Sequence, residues 1–163
     1  MTRYRNKGYR PPTSARPRLA PGMEHDGSHL HSAVVQESGR RYHYNRSLTQ
    51  ATSDRYATRN IVGHFTCYNC PLTNTWHSGI ICTQLFMASN GRYRTILHGQ
   101  QCRGCESYVE PMVDEENYAK KIVSALDLWT GQRERQVSVS DFKKTGPHDE
   151  ERCHGCQIGI CSR

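Results

Sequence analysis

The sequence has 163 residues, enough for one ordinary domain with an extension. Only 35% of the residues are hydrophobic and the mean hydropathy is −0.81, which excludes a large apolar core running through the whole chain. The net charge of +7 is divided sharply, because residues 1–60 hold 11 Lys and Arg against 4 Asp and Glu, whereas residues 61–163 hold 11 of each.

Residues 1–59 read as a disordered basic tail. They contain four of the seven prolines, with Gly, Ser, Arg and scattered His, and keep neither a helical nor a strand period over a useful window. Met1-Thr2-Arg3-Tyr4-Arg5 leads on without an apolar segment, and no run approaches the ~18 apolar residues of a membrane helix, so neither a secretory signal nor a transmembrane segment is expected. Within the tail, Arg40, Arg41, Tyr42, Tyr44 and Arg46 interleave guanidinium groups with aromatic rings. Arginine binds phosphate and tyrosine stacks on unpaired bases, so this stretch is the candidate nucleic-acid contact, with single-stranded RNA the leading partner. His25, His29 and His31 are read as a chance cluster.

From residue 60 the character changes. Ile61 to Thr66 is a short β-like run that leads into Cys67-Tyr68-Asn69-Cys70, and Pro71 to Asn74 turns the chain into a second strand over Thr75 to Ala88. Ser89-Asn90-Gly91 is a turn signal, and Arg92 to His98 alternates Tyr93, Thr95 and Leu97 against Arg94, Ile96 and His98. The third strand then delivers Cys102-Arg103-Gly104-Cys105. Two thiolates separated by two residues both turn toward one tetrahedral ion, and two such pairs complete it. The expected fold is therefore a small α+β zinc-stabilised domain over residues 60–163, with a three-stranded antiparallel zinc-ribbon-like sheet whose second strand is central. The 31 residues between the pairs exceed the usual spacing of about 15–20. Cys82 falls in mid-strand and reads as core, as do Trp76 and Phe86.

One covering helix follows. Asp114-Glu115-Glu116 is an acidic start, Tyr118, Ile122, Ala125, Leu126 and Trp129 recur at spacings of three and four, and Gly131 is a stop. Val137-Ser138-Val139 is strand-like. His148, Cys153, Cys156 and Cys161 then place four candidate ligands within 14 residues, enough for a second site. His154, between the thiols, is expected to point outward. Spacing alone leaves the partnering open, because Cys153 and Cys156 could instead complete the site of Cys67 and Cys70. The expected cofactor is Zn2+, two ions per chain. A chain without a secretory signal stays in a reducing compartment, cytoplasmic or nuclear, where paired thiols serve metals rather than disulfides.

These residues resemble the 3CxxC-type zinc finger family, which includes receptor-transporting proteins, zygote-arrest proteins and many uncharacterised fungal proteins. The resemblance runs through Gly63, Phe65, Cys67, Cys70, Trp76-x-Ser78, Tyr93, Gln100-x-Cys102, Cys105, the helix, and Pro147-His148 to Cys161. It implies zinc held by the six paired cysteines, with His148 and Cys161 as the accompanying pair. Receptor-transporting members assist receptor trafficking and carry a membrane anchor, zygote-arrest members bind RNA, and the short layout here is most similar to the fungal members. Closed four-ligand sites, with no phosphate-binding glycine loop, H-E-x-x-H or deaminase signature, lead us to expect a binding module and not an enzyme. The partner is expected to be RNA or other nucleic acid, with protein–protein interaction or a trafficking adaptor as the alternative.

Overall fold

A computed structural model of the chain describes residues 19–133 and 148–161. Three long strands carry the sheet: β3 (Arg55–Cys67), β4 (Asn74–Met87) and β5 (Arg92–His98). They are antiparallel with β4 in the centre, pairing from Arg55 opposite Met87 to Cys67 opposite Asn74, with a one-residue register shift between Ile61 and Gly63. The expected ribbon therefore forms, but the strand count was too low. Short strands β1 (Glu24–Asp26) and β2 (His43–Tyr44) extend the sheet beside β5, and β8 (Met112–Val113) extends it beside β3. A separate pair, β6 (Gln100–Gln101) with β7 (Tyr108–Val109), frames the second cysteine knuckle. Val137-Ser138-Val139 lies outside the described residues.

The two sheet faces are covered in different ways. Helix α2 (Glu115–Trp129) starts where the acidic signal put it, with the Asp114 carboxylate accepting from Asn117 N–H at 2.9 Å, and ends before Gly131, whose φ is +74°. Its Tyr118, Ile122 and Leu126 are fully buried against Ile61, Phe65, Ile81, Leu85, Tyr93 and Leu97, the inward series of the strands. At Gly63 β3 passes so close to β8 that any side chain would collide with the Met112 carbonyl. The opposite face carries Cys82, Gln84 and His98 and is closed by the C-terminal knuckle with its short helix α3 (His154–Gln157).

A second helix departs from expectation. α1 (His31–Ser38) packs against α2, and Leu30, Val34, Tyr42 and Leu48 are all buried, so disorder does not extend over residues 19–59. Residues 1–18 lie outside the described residues. The Arg/Tyr stretch is likewise structural. Tyr42 is 3% exposed and donates its hydroxyl to Asp127 at 2.6 Å, and Arg41 holds the same carboxylate with two hydrogen bonds of 2.8 and 3.0 Å. Tyr44 meets Tyr93 edge-on and donates to Asp26, and Arg46 donates to Ser28. Rings fixed in these contacts are not free to stack on bases. Arg40 is exposed, in a left-handed turn at φ +68°. Among the described residues no helix is long and apolar enough to cross a membrane.

The Asp127 cluster ties the N-terminal segment to α2 and supplies a test. Asp127→Ala should destabilise the domain by about 2–3 kcal/mol, since it strands a buried hydroxyl and a partly buried guanidinium. Arg41→Ala, with its side chain 41% exposed, should cost less, about 1 kcal/mol. Denaturant melts of both variants check the order, and the reverse order would exclude Asp127 as the anchor.

Candidate metal centres

The first centre forms because strand ends meet. Cys67 ends β3, Cys70 lies in the turn beyond it, and Cys102 and Cys105 occupy the turn between β6 and β7. That turn is closed by Glu106 N–H to the Cys102 carbonyl at 2.8 Å and Cys102 N–H to the Ser107 carbonyl at 2.9 Å. Cys67 and Cys105 sulfurs are 3.5 Å apart, as are those of Cys70 and Cys102, and all four sulfurs lie within 4.8 Å of one another. Zinc–sulfur bonds of about 2.3 Å at tetrahedral angles need sulfur separations of roughly 3.8 Å, so the set fits the ion with little adjustment.

The thiols divide electrostatically. Hydrogen bonding with the Cys102 thiol pushes Cys70 up to about 12, and burial pushes Cys67 up. For Cys102 burial opposes ionisation, yet the Asn74 amide at 3.4 Å and the knuckle N–H groups, Gly104 N–H at 3.3 Å among them, outweigh it and hold the thiol at about 6. Contacts from Ser107 lower Cys105. The knuckle thus favours the thiolate at Cys102, and a bound cation would supply the charge that favours it at the other sulfurs.

The second centre is local in sequence. Cys153 caps α3, Cys156 lies within it, and the chain doubles back through Ile160 N–H and Cys161 N–H, both bonded to the Gly155 carbonyl. His148 Nε2 is 3.3 Å from the Cys156 sulfur and 3.8 Å from that of Cys161, and the four donors again lie within 4.8 Å. A three-sulfur, one-imidazole set suits tetrahedral zinc. Crowding by Cys161 raises the Cys153 thiol. Cys161 is stabilised as thiolate by Cys153, but the Cys82 thiol and burial outweigh that and push it up to about 12. The open question of partnering is thereby answered by geometry: Cys153 and Cys156 face His148 and Cys161, not the first knuckle.

Cys82 is fully buried and belongs to neither set. A Cβ on Gly155 would lie 2.6 Å from its sulfur, so the knuckle rests on β4 only because residue 155 has no side chain. His154 is the correction here. It is 4% exposed and points inward, its Nδ1 2.8 Å from Nδ1 of His98, because the α3 turn puts the residue between the thiols on the sheet side.

The centres are joined through Gln100. Its backbone bridges to Cys153, Gln101 N–H donates to the Arg152 carbonyl at 2.8 Å, and the Arg152 guanidinium reaches the Cys102 carbonyl at 3.3 Å. The Gln100 side chain accepts from Trp76 Nε1 at 3.0 Å and donates to Ser78 Oγ at 3.1 Å, which explains why Trp-x-Ser and Gln-x-Cys occur together. Trp76 stacks on Phe65 at 5.1 Å between ring centres. A cavity of ≈ 370 Å³ opens beside this network, lined by Asn74, Trp76, Gln100, Arg103, His148 and Arg152. The carboxamide of Asn74 has no spacing signature and was missed as a site residue, whereas Gln100 stood out only as part of Gln-x-Cys, with no role assigned to its side chain.

The model of the 3CxxC zinc ribbon, described as a zinc-binding domain, matches residues 60–159. No curated protein and no solved structure matches. With eight donors in two tetrahedral sets, the chain holds Zn2+, about two ions. Because the second set closes on itself, His148→Ala should loosen one ion and leave the other in place. Chelator-release kinetics read by elemental analysis would show one fast and one slow ion, and simultaneous loss of both would mean that the centres fold only as a unit.

Proposed function

The chain belongs to the 3CxxC zinc-ribbon family, and from that premise we propose that it is a nucleic-acid-binding module, with single-stranded RNA the leading partner and both zinc ions structural. Each of the two thiolate centres brings together four protein donors, which leaves no position for a reacting water there and supports reading the module as a binder rather than an enzyme. A reducing intracellular compartment keeps the thiols available to metal.

The observation that carries the reading is a cationic groove between β3 and α2. It has a volume of ≈ 960 Å³ and is lined by Arg59, Lys120, Lys121 and Arg133, with Glu37 the one carboxylate among its lining residues. Lys120 pairs with Glu116. Arg59 donates to the Thr58 carbonyl at 2.9 Å and Lys121 to the Asn60 carbonyl, and among the described residues neither has a carboxylate partner. Burial lowers the pKa of both, and Arg59 lowers that of Lys121 further. Two half-buried like charges are strained alone and relieved by an anion, and phosphate is the anion a nucleic-acid backbone supplies. The six Arg and Lys of residues 1–18, with no Asp or Glu among them, add further phosphate contacts.

A protein-binding reading is favoured by a different observation. Tyr68 and Leu72 in and beside the first knuckle are 81% and 86% exposed, an apolar tip suited to a partner's surface.

Binding of the full chain to single-stranded RNA should weaken with salt by about 0.7 in log K per phosphate neutralised. Replacing Lys120, Lys121 and Arg133 by Gln should flatten that slope and lower affinity by about tenfold. Removing residues 1–18 should flatten the slope while any sequence preference survives. If the triple variant binds like the parent, the groove is not the contact, and Tyr68→Ser with Leu72→Ser becomes the pair to examine.

A further inference from the structure

A third group of donors lies outside both thiolate centres, on the sheet face turned away from the long helix. Glu24 of β1 and His98 at the end of β5 are directly opposed in the antiparallel pairing of these strands, so their side chains emerge on the same side. His154 opens α3 and is held over that face by its backbone N–H, which donates to the Gly99 carbonyl at 3.1 Å. One carboxylate oxygen and one nitrogen from each ring lie within 4.8 Å of one another. Three segments far apart in sequence converge there.

The donors are of the right kind. His98 is 0% and His154 4% exposed, and imidazole nitrogens held at short range in the interior are common metal donors. His98 Nε2 donates its N–H to the Gln84 carboxamide oxygen at 2.7 Å, which leaves a lone pair on Nδ1, facing His154. Gln84 is itself oriented by its donation to the Tyr56 hydroxyl at 3.2 Å. A hydrogen-bonding group behind a ring fixes tautomer and direction at metal sites. A pair of hydrogen-bonded rings alone would not need a carboxylate beside it. Yet the Glu24 carboxylate, half-buried, makes no hydrogen bond or ion pair among the described residues.

We propose that Glu24, His98 and His154 form a third metal site, which takes a divalent first-row transition ion such as Zn2+ through two imidazoles and one carboxylate. The ion replaces the proton shared between the two rings, and His154 then carries its N–H on the other nitrogen. Occupancy ties β1, near the start of the described fold, to the C-terminal knuckle. It is distinct from the thiolate sites in donor chemistry, which makes it separately measurable.

The test uses the full chain stripped of metal and titrated with Co2+. Thiolate-to-cobalt absorption counts only the sulfur sites and should stop rising at two equivalents, whereas equilibrium dialysis with elemental analysis should reach three. Glu24→Gln changes a half-exposed residue of a short edge strand, so the fold and the two sulfur sites should persist while the third ion binds at least tenfold more weakly. Saturation of the parent chain at two ions would overturn the proposal. So would a third ion held with unchanged affinity in the Glu24→Gln variant, since it would then sit elsewhere, for example on His25 and His29, whose rings are 4.9 Å apart.

Discussion

Sulfur donors drawn to one point require something positive between them, and the rest of the structure follows from that requirement. With sulfurs 3.5 Å apart in the first centre, either shared protons or an ion must occupy the middle. Structural zinc in small domains contributes about 10–16 kcal/mol, comparable to the whole stability of an ordinary domain at about 5–15 kcal/mol. Strand geometry is subordinate to it. β3 and β4 must hold the register they take up after the irregularity at Ile61 and Gly63, so that Cys67 stands opposite Asn74, whose amide then reaches Cys102. A slip of one residue would point Cys67 to the wrong face and remove a ligand.

The same requirement explains how a chain of low mean hydropathy closes two sheet faces. One face is covered conventionally, by the apolar stripe of α2 with α1 beside it. The other has no comparable apolar layer and is closed by a metal knuckle resting on Cys82 through Gly155. Gln100 makes these solutions interdependent. Its backbone joins the second knuckle to the chain that enters the first, and its side chain locks Trp76 and Ser78 of β4. Metal at one centre therefore stiffens the frame that positions the donors of the other.

What could be read in advance was what is local. The paired cysteines, the 3.6-residue period of Tyr118 to Trp129 and the alternation of Tyr93, Thr95 and Leu97 are each decided within a few residues, and each appears in the fold. Residues 19–54 were unreadable because their order comes from distant contacts. α1 is only two turns long, and Val34 and Tyr42 are buried by α2 and β5 rather than by neighbours in sequence. Arg41-Tyr42-x-Tyr44 resembled a recognition tract because alternating basic and aromatic residues also describe a chain with one side turned inward. His154 was misplaced for a similar reason: a residue between two ligands points to solvent in an extended knuckle but not in a helical turn.

Charge makes the same point about function. The +7 of the first 60 residues invited a flexible basic arm, yet two of the five arginines in its described part are already engaged. Arg41 is committed to Asp127, and Arg46 lies within 3.6 Å of Asp26. Paired charges project little field beyond the surface, so composition overstates what this segment offers a polyanion. What it understates is Arg59 with Lys121, two cations from elements about 60 positions apart, neither of them paired with a carboxylate among the described residues. Phosphate affinity spread along a free arm is indifferent to sequence, whereas cations fixed in a groove hold a backbone in one place relative to the folded surface. On the nucleic-acid reading proposed above, selectivity for one nucleic acid over another would therefore arise from the folded zinc domain, with residues 1–18 adding attraction alone.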